Sequence, residues 1–148
     1  MPRFNYRMQG ILNIKYKMEE QAKTEFGLAQ MRLNEEEEKL NNLVIRRAGY
    51  EQQARALRTG GTLKPLEMEE ARRAIEIMKV MIRTQMMEVK KAEKAVDAAR
   101  MKLQEAMQER KMHEKLREKA FDVFLEEMAL AESKEIDGLV SYTHGAGE

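Results

Sequence analysis

The side chains best suited to proton chemistry are the two histidines, His113 and His144, and the run Glu35-Glu36-Glu37-Glu38. An imidazole titrates near neutral pH, and two carboxylates can divide acid and base roles when they face one point. Consecutive residues point in different directions around a helix, so the four glutamates cannot form one paired site. With Lys39 next to them they read as a solvated stretch. His113 sits near Arg110 and Arg117 on an apolar stripe and reads as a polar member of that stripe, and His144 lies in the tail. No His-x-x-x-His pair, Walker loop or glycine-rich phosphate cradle occurs. With no cysteine there is no disulfide, thiolate zinc site or cysteine nucleophile. These residues predict a non-enzymatic protein with no catalytic site, metal or cofactor.

Composition narrows the class. The 148 residues carry 27 Lys+Arg against 26 Asp+Glu, 36% charged and 5% aromatic side chains, 13 Met and two Pro. That mixture belongs to long helices or coiled coils more than to a compact globule. A net charge of +1 exerts no overall pull on nucleic acid, and aromatics for base stacking are missing. No apolar run approaches the ~18 residues of a membrane span. Residues 1–18 hold Arg3, Arg7, Lys15 and Lys17 and no acid. They lack a signal peptide's apolar core and a transit peptide's serines, and the periodic pattern runs on past them. An interfacial membrane helix with Phe4, Tyr6, Met8, Ile11 and Leu12 remains an alternative use of this segment.

The elements that would position these residues are two helices. Arg58-Thr59-Gly60-Gly61-Thr62-Leu63-Lys64-Pro65 is the one strong interruption. Glycine suits the left-handed cap beyond a helix end, and proline suits the first turn of the next. Arg55 and Arg58 precede the break and Glu67, Glu69 and Glu70 follow it, as the helix dipoles favour. The pattern predicts a helix over about 5–58, a turn over about 59–64, a helix over about 65–138 and a flexible tail over about 139–148.

Apolar residues step by three and four. The first stripe is Phe26, Ala29, Leu33, Leu40, Leu43, Tyr50, Ala54 and Leu57, interrupted by Glu36 and Arg47. Upstream, Phe4, Met8, Ile11, Met18 and Ala22 keep those steps if one four-residue stutter precedes Phe26. The second stripe is Ile75, Met78, Ile82, Val89, Ala92, Val96, Ala99, Leu103 and Ala106, with Gln85 polar. It continues through Arg110, His113, Arg117, Ala120, Phe124 and Ala131. A stripe this long at period 3.5 is a coiled-coil seam. The expected fold is all-α, a long antiparallel two-helix coiled-coil hairpin with a longer second helix. The alternative is one continuous helix in a parallel dimer, with Gly60-Gly61 as a flaw.

A turn centred near Gly61 pairs residue i with about residue 122 − i, placing Leu43 near Lys79 and Phe4 near Arg117 or Glu118. At about 1.5 Å per residue the first helix spans ~80 Å and the second ~110 Å. The excess carries Phe121, Val123, Phe124, Leu125, Met128, Leu130, Ile136, Leu139 and Val140, apolar surface with no partner in the hairpin. It either folds back or self-associates, or it inserts into another protein. Ile77, Val80, Met81 and Met87 also lie off the seam, for local packing or for a second partner. Arg46, Arg47, Arg55, Arg58 and Lys64 make the turn region basic, suited to an acidic surface.

The opening Phe4-Asn5-Tyr6-Arg7-Met8-Gln9-Gly10-Ile11-Leu12-Asn13-Ile14-Lys15, followed by Met18-Glu19-Glu20-Gln21-Ala22-Lys23, resembles the start of the bacterial flagellar export protein FliJ family. Met8 stands at a position where that family has leucine. Ala131-Glu132-Ser133-Lys134-Glu135-Ile136-Asp137 is similar to the family's ending. The resemblance covers the whole chain. It implies a cytoplasmic component of the flagellar type III export apparatus, peripherally associated with the membrane at the flagellar base. It also implies a stalk in the hexameric export ATPase, with further contacts to the cytoplasmic domain of the export gate and to export chaperones. Carried onto this chain, ATPase-ring binding falls to Arg3, Arg7, Met8, Ile11, Phe121, Phe124, Leu125 and Met128, and export-gate binding to Leu43, Tyr50, Met78 and Met81. The family often has an aromatic residue near Ala74, and this chain does not. A structural scaffold and the equivalent stalk of a virulence secretion system are the alternatives.

Overall fold

The computed structural model describes residues 2–146. Two helices, α1 (Gln9–Thr59) and α2 (Pro65–Ala146), have 51 and 82 residues. They pack against each other, and no strand occurs among the described residues. The fold is an all-α helical hairpin, so Gly60-Gly61 is a turn and not a flaw in one long helix.

The turn forms for local reasons. Gly61 takes a φ of 72°, a conformation that costs residues with a Cβ about 1–2 kcal/mol. The Thr59 hydroxyl donates to the Arg55 carbonyl at 3.0 Å, satisfying one of the acceptors left at the end of α1. Pro65 opens α2, where its missing N–H is not needed. Glu67 occupies the first turn of α2 and Arg58 the last turn of α1, each opposite in sign to the dipole end it meets.

The helix limits differ from those expected. Residues 2–8 are not helical, and α1 starts at Gln9, whose amide donates to the Tyr6 carbonyl at 3.1 Å. The ring of Phe4 lies on α2 instead, 5.1 Å from Phe121 and 5.5 Å from Phe124 between centroids. At the other end α2 continues through the expected tail to Ala146. No proline follows Pro65, and the glycines there, Gly138 and Gly145, weaken a helix by only ~1 kcal/mol each. Gly147 and Glu148 of that tail lie outside the described residues.

Packing divides the chain into a turn unit, Ala22–Leu103, and a terminal unit, Met1–Gln21 with Gln104–Glu148. In the turn unit Ala71, Met78, Ile82, Val89, Ala92 and Val96 are buried. Phe26, Ala29, Leu33, Leu40, Leu43, Tyr50, Ala54 and Leu57 are half-buried at the seam positions of α1. The two seam polar residues that looked like separate interruptions are partners. Gln85 Nε2 donates to Glu36 Oε2 at 2.6 Å and to the Glu36 carbonyl at 2.9 Å. A paired polar layer of this kind sets register in a coiled coil. Arg47, the other interruption, lies half-buried against Glu51 at 3.0 Å.

The terminal unit corrects the upstream stripe. Met8, Ile11 and Met18 are exposed at 43%, 37% and 46%. Leu12, at 1%, and Glu19, at 5%, are buried, and Lys15 is half-buried between them in sequence. Steps of three and four counted back from Ala22 give Glu19, Lys15 and Leu12, so α1 has no stutter. The heptad runs on through polar residues that α2 neutralises. Following hydrophobicity in place of period produced the shifted reading. Across from them Arg110, His113, Ala120 and Phe124 are half-buried, while Arg117 and Ala131 are exposed. Ala131 lacks a seam partner because the seam ends at the Phe4 cluster. Residues 129–145 are exposed throughout and form a helical arm.

Candidate functional site

The described residues hold no group of three or more His, Asp or Glu arranged to bind a metal. No described helix is long and apolar enough to cross a membrane. What the fold presents are two apolar surfaces, one in each unit.

The surface of the terminal unit is built on an aromatic cluster. Phe4 meets Phe121 edge to face and Phe124 at a tilt, and Tyr6 stacks on Phe4 at 6.4 Å. The Arg117 guanidinium lies 5.4 Å from the Phe4 centroid, and its Nε donates to Gln9 Oε1 at 2.9 Å. These contacts hold the nonhelical segment against α2. A depression of about 390 Å³ beside them is lined by Arg3, Phe4, Tyr6, Arg7, Val123, Phe124 and Glu127, among others. Arg3, Arg7, Met8 and Ile11 are all exposed here. On α2, Phe121 and Leu125 are exposed at 40% and 49%, while Phe124 and Met128 are half-buried. All eight residues assigned to ring binding thus belong to one unit, and six of them are exposed. Ile14, exposed at 55%, extends the same surface. Its exposure follows once Leu12 and Lys15 take the seam positions.

Behind this surface lies a polar network. Lys15 Nζ pairs with Glu109 at 2.6 Å, and Arg110 bridges Glu19 and Glu114 at 2.6 Å and 3.0 Å. The Tyr16 hydroxyl donates to Glu114 at 2.5 Å. That bond raises the Tyr16 pKa and lowers that of Glu114, with desolvation opposing it at the carboxylate. The bond from Lys15 lowers Glu109, and the bond to Glu19 raises Arg110. The pairing was invisible in the sequence, where Glu19 and Arg110 are only two of many charges. The heptad carried back from Ala22 is the signal that would have found it.

The surface of the turn unit is an off-seam stripe on α2. Ile77, Val80, Met81 and Met87 are exposed at 56%, 54%, 40% and 63%. Of the residues assigned to gate binding, Met81 belongs to this stripe. Leu43 and Tyr50 are half-buried on α1, and Tyr50 lines a groove of about 490 Å³ with Gln53, Leu57, Glu67, Glu70, Ala71 and Ala74. Met78 does not reach the surface: at 4% exposure it is a core residue of the seam. Val44 and Ile45, exposed at 47% and 60%, are further apolar side chains on α1 that the stripe did not single out.

The family model described as flagellar FliJ protein matches residues 4–148. No curated protein and no solved structure matches the chain.

Proposed function

The chain belongs to the flagellar FliJ protein family, and from that premise we propose that this component of the flagellar type III export apparatus works as the stalk of the hexameric export ATPase. The observation that carries the reading is the terminal unit, where an aromatic cluster lies at the base of a helical arm whose apolar side chains Leu130, Ile136, Leu139 and Val140 are exposed. Burying such a face in the ring removes apolar area from water at roughly 25 cal/mol per Å². Arg3, Arg7, Met8, Ile11, Phe121, Phe124, Leu125 and Met128 make the ring contact, Phe124 chiefly by supporting Phe4. Stimulation is differential binding: a stalk with higher affinity for the assembled ring than for free subunits shifts the equilibrium toward the ring by that difference. The chain supplies no catalytic group; turnover belongs to the ATPase.

At the turn unit, Met81 with Leu43 and Tyr50 forms the contact for the cytoplasmic domain of the export gate. Met78 contributes by holding the helix in register. Export chaperones are a third class of partner, and the working position is the cytoplasmic face of the membrane at the flagellar base.

The test is ATP hydrolysis by the cognate export ATPase with the full chain and with a Met8→Asp, Leu125→Asp chain. Both side chains are exposed ring contacts, at 43% and 49%, outside the cluster of Phe4, Phe121 and Phe124. Stimulation by the full chain that is lost in the variant supports the stalk. A folded full chain that neither binds the ATPase nor changes its turnover sinks the reading.

A further inference from the structure

Past Phe124 the apolar face of α2 changes direction. The positions that would continue the seam are Glu127, Ala131, Lys134 and Gly138. The apolar residues instead fall on a neighbouring face: Phe121, Leu125 and Met128, then Ile136, Leu139 and Val140, with Glu132 among them. Leu125, Ile136, Leu139 and Val140 are exposed at 49%, 60%, 66% and 60%. This face does not prolong the hairpin; it is shaped for a different helix.

Charge says which one. The arm, residues 129–145, carries Glu132, Glu135 and Asp137 against Lys134, and none of these makes an ion pair among the described residues. The arm is thus net acidic, and the last turn of α2 holds only His144 as a base. The N-terminal end of α1 has the opposite balance. Its first turn holds no acid, and Arg7 precedes it. Arg7 and Lys17 are exposed and form no ion pair among the described residues. Beside them Ile11, Ile14 and Met18 present an exposed apolar stripe at helical spacing. One chain thus holds an apolar face flanked by uncompensated acid and an apolar face flanked by uncompensated base.

Within the terminal unit α2 runs outward past the start of α1, so its arm leads away from the basic stripe of its own chain. We propose that the arm docks on the N-terminal face of α1 in a second copy, giving a two-fold dimer joined through the terminal units. Each copy contributes one arm and one stripe, as an isologous contact requires. With the two chains end to end, the incoming arm lies parallel to the α1 it covers. Its ~20 residues, about 30 Å long, exceed the ~15 Å from Met8 to Met18. Arm-on-arm pairing would place acid against acid, which selects α1 as the acceptor. The proposal concerns the isolated chain and does not rest on the stalk reading.

Sedimentation velocity of the full chain tests it. A dimer is expected at low ionic strength, dissociating as salt is added. Arg7→Glu with Lys17→Glu should raise the dissociation constant at least about a hundredfold, and Glu132→Lys with Glu135→Lys should do the same. All four residues are exposed, so helicity by circular dichroism should not change. An equimolar mixture of the two variants should recover the dimer, because both of its interfaces are again complementary. A wild-type chain that stays monomeric at every concentration overturns the proposal. So does a dimer that survives both reversals, or a mixture that fails to recover, since the contact would then lie elsewhere.

Discussion

Arg110 reaches across the terminal unit to Glu19, its Nε donating to Oε2 at 2.6 Å and its Nη2 to Oε1 at 3.3 Å. The 122 − i pairing places Glu19 opposite Leu103, not Arg110. Helical side chains lean toward the N-terminus of their own helix. In an antiparallel pair they therefore lean toward each other, and long side chains meet partners farther along. A charged pair at a seam position costs desolvation that the pairing offsets, so removing one partner is worse than removing both. Arg110→Leu should lower the melting temperature more than Glu19→Leu with Arg110→Leu together. A Glu19→Leu change that lowers the melting temperature as much in the Arg110→Leu chain as in the wild type would show that the pair is not coupled.

The seam assignment can be checked at adjacent residues. Leu12 is 1% exposed and Ile11 37%. Leu12→Ala should cost about 2–4 kcal/mol by urea unfolding. Ile11→Ala should stay within about 1 kcal/mol. The opposite order would restore the shifted stripe with its stutter.

Met78 and Met81 offer the same contrast in the turn unit, at 4% and 40% exposure. Met78→Ala should destabilise by about 2–4 kcal/mol, and its effect on gate binding should follow the lost fold. Met81→Asp should leave stability within about 0.5 kcal/mol and weaken binding to the cytoplasmic gate domain in a pull-down or titration. Unchanged gate binding by a folded Met81→Asp chain would remove Met81 from that surface.

Acid should loosen the hairpin from its polar layers. The hydrogen bond from Gln85 lowers the Glu36 pKa, against desolvation and with help from Lys39 and Arg32, and Glu109 and Glu114 are lowered by Lys15 and Tyr16. A depressed carboxylate adds stability that is fully present above the unfolded value of about 4.3 and is lost as pH falls through the folded value. Melting temperature should therefore be level from neutral pH to about 5 and fall below ~4.3. Gln85→Leu should flatten the part of that fall due to Glu36. A profile in Gln85→Leu identical to wild type would deny the pair its role.

Gly61 should resist substitution through its backbone alone. A Cβ there would meet nothing within 4 Å, and the φ of 72° is the only obstacle. Gly61→Ala should cost about 1–2 kcal/mol, and Gly61→Asn less, because asparagine tolerates the left-handed region. Equal stability of Gly61→Ala and wild type would mean that the turn adopts another conformation.

Much of this hairpin was legible in the residues. The break at Gly60-Gly61, the cap charges around it and the three-and-four spacing from Phe26 to Leu57 and from Ile75 to Ala106 all stem from local backbone preference and helical period. The same physics works in any context, so sequence alone settled two long helices, their turn and most of the seam. The absence of cysteine likewise ruled out thiolate chemistry before any coordinates. Tertiary structure decided what happens where the period and the hydrophobicity disagree. Glu19 and Lys15 occupy seam positions because Arg110 and Glu109 stand opposite them, and no single helix carries that information. Met8, Ile11 and Met18 are thereby turned outward, and Phe4 leaves the helix to cover Phe121 and Phe124. Pairing across the chain depends on which side chains face each other after the fold closes, and that is a property of the packed pair of helices.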